Sequence, residues 1–282
     1  MLTNELIRQI NDFIYTKPRT IQEISELLDL NWRTADSYVE RIAREQGTIA
    51  VRTFRGGTRG ALKVVYWNVA ERLHSHLAQD QLFQRITQGK HKTDFSPFDI
   101  YQYVEESKRD AFIEHQEGEQ QLLKHDFASL LRLAQEQILF FSGNLSWTRQ
   151  KQGKTAMLEL LEELAKQKIS IKILTRIELP GIENIQNVEA INQRLGWEAI
   201  EIRHAHQPLR GLAVDNKLAR FKEIKNPQDF KEGELAKETF IFYTFHDQDW
   251  VEWTKKVFFH FFRTAIPYQK RVGDLRTVQR LM

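Results

Sequence analysis

HQPLRGLAVDNKLARF, residues 206 to 221, alternates apolar and polar positions, and its reading decides the second half of the chain. Leu212, Val214, Leu218 and Phe221 punctuate it, and Asp215-Asn216 has the residue types of a tight hairpin turn. The stretch predicts two strands, LRGLAVD and NKLARFKEI, with Arg210 and Asp215 near the turn that joins them.

The segments before and after it alternate strand and helix. ILFFSG is a short apolar run that reads as a buried strand. KTAMLELLEELAKQ is an amphipathic helix, and ISIKILTRI is a second strand, which together predict a right-handed crossover and a parallel sheet. ENIQNVEAINQRLG supplies another helix, ending at Gly196, and AIEIRHA and ETFIFYTFHD add strands. From Asp249 onward, WVEWTKKVFFHFFRTAI is a closing helix rich in Trp250, Trp253, Phe258, Phe259, Phe261 and Phe262, which predicts core plus a subunit interface. Residues 138–282 thus predict an α/β domain with helices on both faces of its sheet.

The first seventy residues have a different rhythm. Leu2, Leu6, Ile7, Ile10 and Ile14 recur at helical spacing until Lys17-Pro18. Thr20 and Glu23 form a capping box ahead of a buried stripe of Ile21, Ile24 and Leu27. NWRTADSYVERIAREQG is a third helix with core positions Trp32, Ala35, Val39 and Ile42, ended by Gly47. TIAVRTF, GGTRG and ALKVVYWNV then read as strand, turn and strand. Three helices followed by a hairpin predict a winged helix-turn-helix over residues 1–70. Its third helix would offer Arg33, Thr34, Ser37, Tyr38, Arg41 and Arg44 to the major groove of double-stranded DNA. Its wing would offer Arg52, Arg55, Thr58, Arg59 and Lys63 to phosphates or a minor groove. Asp36 and Glu40 on the same helix speak for the opposite reading, a small helical domain that binds no nucleic acid. Residues 71–137 read as almost wholly helical, a linker or dimerisation segment that includes SPFDIYQYVEESKRDAFIEHQ and EQQLLKHDFASLLRLAQEQ.

Composition narrows the function classes. A net charge of +3 excludes a strongly basic coat, yet residues 46–67 hold four cations and no acid. No apolar run approaches the ~20 residues that span a bilayer, and the amphipathic, acid-bearing start is unlike a secretory signal. Cysteine is absent, which removes disulfides and thiolate metal sites and suits a reducing cytoplasm. The histidines at 74, 76, 91 and 115 have no metal-ligand spacing, so neither metal nor cofactor is expected.

The strand-helix-strand unit ending ILTRI and the later hairpin LRGLAVDNKLARF look like half of a phospholipase D fold. With the winged helix and helical segment before them, they resemble the TrmB-like archaeal regulators that carry a phospholipase D-like carboxy-terminal domain. That resemblance implies a His-x-Lys motif with an Asp at the fifth position after the Lys, the His attacking phosphorus and the Lys holding phosphate oxygens. With Asp215 in the Asp position, Arg210 takes the place of Lys and Pro208 that of the nucleophile, which proline cannot be. Beginning at His206 instead puts Pro208 and Ala213 at the Lys and Asp positions. The expectation is a non-catalytic site, no enzyme, and a vacated pocket in which Asn144, Arg176, Arg210 and Asp215 hold an anionic or polyhydroxyl effector. Against it stands the plainer possibility that Asp215 only makes the turn and Arg210 is a solvated strand residue. The combined expectation is a cytoplasmic, homodimeric DNA-binding transcriptional regulator. The alternatives are a nuclease or phosphodiesterase using His206, and a transcription factor whose wing grips protein.

Overall fold

The structure is a computed structural model, and it describes residues 2–55, 61–68, 75–115, 127–229 and 237–281. The amino-terminal elements are α1 (Asn4–Thr16), β1 (Arg19–Thr20), α2 (Ile21–Leu27), α3 (Trp32–Glu45), β2 (Ile49–Arg55) and β3 (Ala61–Trp67). The Thr20–Glu23 capping box forms as expected, closing backbone donors at the start of α2. Ile10, Ile14, Ile21, Ile24, Ala35, Val39 and Ile42 make one small core with Ile49 and Val65. Leu27 departs from its expected place: it is exposed, because α2 ends there and the chain turns away at Leu28. β3 lies between β1 and β2, so the hairpin is tied to the helices by the short strand after α1.

The middle segment corrects the helical expectation. α4 (Ser75–Gln88) is a helix as read, but α5 (Phe98–Tyr101) is a single turn. Arg109–His115 is then a strand, β4, paired antiparallel with a later strand over its whole length. Ala111 and Ile113 of β4 pack on one side and Phe112 faces the other, the two-residue period of a sheet. Its flanking charges disguise that short period as a helical one.

The remaining elements are α6 (Phe127–Arg132), β5 (Gln137–Phe141), the small hairpin β6 (Lys151–Gln152) and β7 (Thr155–Ala156), α7 (Met157–Lys166), β8 (Ser170–Thr175), α8 (Ile182–Leu195) and β9 (Ile200–His204). After them come β10 (Gly211–Val214), β11 (Leu218–Lys225), β12 (Thr239–Phe245), α9 (Gln248–Thr264), β13 (Ile266–Pro267) and α10 (Tyr268–Leu281). Eight strands form one mixed sheet in the order β13-β9-β8-β5-β10-β11-β12-β4. β5, β8 and β9 run parallel, joined by α7 and α8; the hairpin β10–β11 pairs antiparallel to β5, with Val214 opposite Leu218 across the Asp215 turn.

Helices cover both faces. α6, α7, α8 and α10 bury one core with Ile138, Phe140, Ile171, Ile173 and Leu212. α4 and α9 bury the other, in which Trp250, Trp253, Phe258 and Phe262 lie under Phe141, Phe221 and Phe245. Four of the six aromatic residues of α9 are therefore core residues, while Phe259 and Phe261 are partly buried against that core. Further along this second face, Phe54, Leu62 and Val64 of the amino-terminal hairpin seat on Phe98, Tyr101, Ile241 and Tyr243. Successive residues of β12 serve opposite sides: Ile241 and Tyr243 meet the hairpin, while Phe242 lines a cavity on the other face.

Candidate functional site

Strands β5 and β8 end side by side at Phe141 and Thr175, where their carboxy-terminal ends open to a cleft. The Ser142-Gly143-Asn144 turn follows β5. The Gly143 carbonyl accepts from the Arg176 backbone N–H at 2.8 Å and from the Thr175 hydroxyl at 3.0 Å. The Asn144 carbonyl accepts from Asn184 Nδ2 on α8 at 3.0 Å, which pins the loop. Gln207 Nε2 donates to the Ser142 carbonyl at 3.2 Å. Arg210, next in line on the neighbouring strand, donates from Nη1 to the Gln207 and Leu209 carbonyls at 3.0 and 2.6 Å. A Cβ on Gly143 would sit 3.0 Å from Arg210 Nε, so glycine is what lets the guanidinium lie flat against the turn.

Ser142, Gly143, Asn144, Arg176 and Arg210 line a cavity of about 320 Å³. Asn144, Arg176 and Arg210, three of the four residues singled out from the sequence, come together there. Its walls also carry Trp147 and Phe127 on one side and Phe112 and Phe242 on the other. Trp147 stacks on Phe140 at 4.9 Å and meets Phe127 edge-on at 5.4 Å, while Phe112 and Phe242 stack at 5.0 Å. Arg220 and Lys222 enter from β11, with Arg220 bonded to Thr244 at 2.8 Å and Lys222 Nζ 3.5 Å above the Phe240 ring. Burial brings the Arg210 pKa down to about 10, helped by the like charge of Arg176. Burial likewise brings Lys222 down to about 8. Among the described residues, no carboxylate forms an ion pair with Arg176 or Arg210, and the Arg176 Nε is buried without a hydrogen-bond partner.

Asp215 does not join them. It sits at the other end of β10, where its carboxylate accepts from the backbone N–H of Gln135, Glu136 and Gln137 at 2.9, 3.0 and 2.8 Å. Burial alone would raise its pKa, but those donors and Lys217 hold it below the usual carboxylate range. It has φ +48°, so it makes the turn and also fastens the chain entering β5. Arg210 is not the solvated strand residue of the plainer reading.

The histidines lie elsewhere. His204 is buried, its Nδ1 accepting from the Ile177 N–H at 2.8 Å, and its ring meets that of exposed His206 edge-on at 5.1 Å. Burial pushes the His204 pKa down to about 4, with help from Arg271. Neither imidazole is among the described residues that line the cavity. Pro208, at the position the resemblance gives to the nucleophile, packs instead against Gly89.

On α3, Arg33, Ser37, Arg41 and Arg44 are exposed along one face, with Arg41 paired to Glu45 at 2.9 Å. Tyr38 is half-buried against the small core. Thr34 is engaged in the cap, its N–H and hydroxyl donating to Asn31 Oδ1 at 2.9 and 3.1 Å. Two wing residues are engaged within the protein. Lys63 bridges Asp36 and Glu40 at 2.7 and 3.0 Å, so it offsets the acids of α3. Arg52 pairs with Val64 on the hairpin face that seats on the sheet, and its charge acts on the buried Tyr101 hydroxyl. The Arg55 backbone closes β2, and Thr58 and Arg59 lie outside the described residues.

Sequence reasoning missed the aromatic walls and the two cations of β11. Arg220 and Lys222 were legible as one face of an alternating strand, but nothing in the sequence said that this face opens on the cavity.

No family model matches the chain, and no curated protein matches it in sequence. Among solved structures it is similar to TrmBL2, an archaeal chromatin protein with a novel mode of DNA binding, at 12% identity and TM-score 0.40 over 94% of each chain. It is also similar to Nuc, a phospholipase D family member from Salmonella typhimurium, at 10% identity and TM-score 0.39, covering 57% of this chain and 99% of that one. NucT from Helicobacter pylori matches at 8% identity and TM-score 0.41, over 57% of this chain and all of its own. At such scores and identities these likenesses assign no activity.

Proposed function

We propose that the chain is a DNA-binding transcriptional regulator of the TrmB-like kind. A winged helix-turn-helix over residues 1–70 meets the duplex, and the cavity of the carboxy-terminal sheet holds a small effector in place of a scissile phosphodiester. The observation that carries this reading is the exposed row of Arg33, Ser37, Arg41 and Arg44 on α3, the third helix of a three-helix unit closed by a hairpin. Lys63 supports it by cancelling Asp36 and Glu40, the acids that would otherwise repel phosphate. The non-catalytic part of the reading is supported by the lining of the cavity, where Arg210 stands ready for an anion with neither His204 nor His206 beside it. Residues 71–137 then belong partly to the linker and partly, through β4, to the domain of residues 138–282. A homodimer is part of the proposal, because two such units on a two-fold axis would match a palindromic site.

Fluorescence anisotropy with a labelled duplex tests it. Binding is expected to weaken steeply between about 50 and 200 mM salt, as counterion release requires. Arg33→Ala and Arg44→Ala are each expected to weaken it further and to lower the salt slope by about one. A chain that binds no duplex at low salt contradicts the proposal.

A further inference from the structure

The cavity at the ends of β5 and β8 has an imbalance that folding alone does not explain. Two guanidinium groups, Arg176 and Arg210, face it across the Ser142-Gly143-Asn144 turn, close enough for each to feel the other's charge. Elsewhere on the sheet three cations are answered by acids: Lys172 meets Glu201 at 2.6 Å, Arg203 meets Glu201 at 2.7 Å, and Lys225 meets Glu223 at 2.8 Å. Arg176 and Arg210 have no such answer among the described residues, and the Arg176 Nε is buried with its proton unused. Like charges held together in a partly buried cleft cost free energy that an incoming anion would recover. Planar guanidinium forks also match the oxygens of a phosphate or carboxylate in a way that a sugar hydroxyl does not use.

The rest of the cavity is mixed: Arg220, Lys222 and Glu114 also line it, and its walls are aromatic. Trp147 and Phe127 make one wall and Phe112 with Phe242 the other, and the sheet between Arg210 and Phe112 spans β10, β11, β12 and β4. At about 4.8 Å per strand, that floor extends roughly 14 Å beyond the arginines. A bare inorganic ion would leave most of it unfilled.

The geometry points to a small organic oxyanion as the ligand: a phosphate or carboxylate seated on Arg176 and Arg210, attached to a flat apolar body that lies between the Trp147 and Phe112–Phe242 walls. This rests on the reading of the cavity as a binding site that does not cleave its ligand. A phosphate monoester and an aromatic carboxylate share this chemistry, and the experiment separates them.

Calorimetric titration of the full chain with 1-naphthyl phosphate, 1-naphthoate, 1-naphthol and inorganic phosphate is the test. At least one of the two naphthyl anions is expected to bind at least tenfold more tightly than both naphthol and inorganic phosphate. Arg176→Gln is expected to weaken that binding about tenfold, the scale of one lost charge-assisted hydrogen bond. Arg210 also holds two backbone carbonyls, so Arg210→Lys, which keeps a cation but loses the fork, is the companion variant; with its thermal transition unchanged, it too is expected to weaken binding. Equal affinity for naphthol and the anions overturns the proposal, as does binding indifferent to both arginine variants, or no binding of either naphthyl anion at millimolar concentration. Release of naphthol from naphthyl phosphate overturns the non-cleaving reading on which the proposal rests. Anisotropy with duplex, run on the same preparation, keeps a failure of DNA binding distinct from a failure of the cavity.

Discussion

Asp215 and His204 each couple distant backbone to a titratable side chain, and each has a measurable consequence. Asp215 gathers three N–H groups from Gln135 to Gln137. Asp215→Ala would leave those partly buried donors without their acceptor, a loss of about 2 kcal/mol in urea unfolding, and Asp215→Asn would recover part of it. His204 is neutral in the fold, with a pKa of about 4 against an ordinary value of 6.5. The unfolded chain therefore binds the extra proton first, so stability is full above pH 6.5 and falls as pH drops through that value towards 4. The whole effect is on the order of 3 kcal/mol. His204→Asn, whose Oδ1 can accept from the Ile177 N–H, is expected to flatten that part of the profile; unfolding curves at pH 7, 5.5 and 4.5 would reveal it. The turn-forming role of Asp215 was legible from its residue type. Its grip on Gln135–Gln137 was not, because about eighty positions separate the partners and no local pattern links them.

At the scale of elements, the two-residue and 3.6-residue periods carried most of the reading. The capping box, the three amino-terminal helices, the crossover β5–α7–β8 and the hairpin β10–β11 follow from them. β4 did not, because Asp110 to His115 is short, edged by charge and preceded by a helical turn. What places it is pairing with β12, a long-range fact. The amino-terminal hairpin is the second case: its alternation was visible, but both faces are in use. One covers the helices, and the other buries Phe54, Leu62 and Val64 on the large sheet. Phe54→Ala is expected to cost about 3 kcal/mol in thermal or urea unfolding, whereas a hairpin free in solvent would lose almost nothing. Gly211→Ala is expected to disturb β10 more severely, since its Cβ would collide with the Arg220 carbonyl oxygen of the paired strand; circular dichroism during unfolding would report the loss.

For the whole molecule, the cavity and the hairpin seat are neighbours. A second cavity, of about 340 Å³, runs from Arg19 and Val64 to Glu223 and Tyr243, and it shares Lys92, Arg210 and Lys222 with the first. Linkage then sets a reciprocal expectation: whatever factor a naphthyl anion applies to duplex affinity, saturating duplex must apply to the affinity for that anion. A factor of one in both titrations would mean that the two sites ignore each other. β12 is where such traffic would pass. Phe242 and Tyr243 are consecutive residues joined by one rigid peptide plane, one side chain in the cavity and the next beneath the hairpin. A displacement of the first ring that its own torsions cannot absorb would tilt the plane that carries the second, so the cavity and the hairpin seat are divided by no more than the thickness of a single strand.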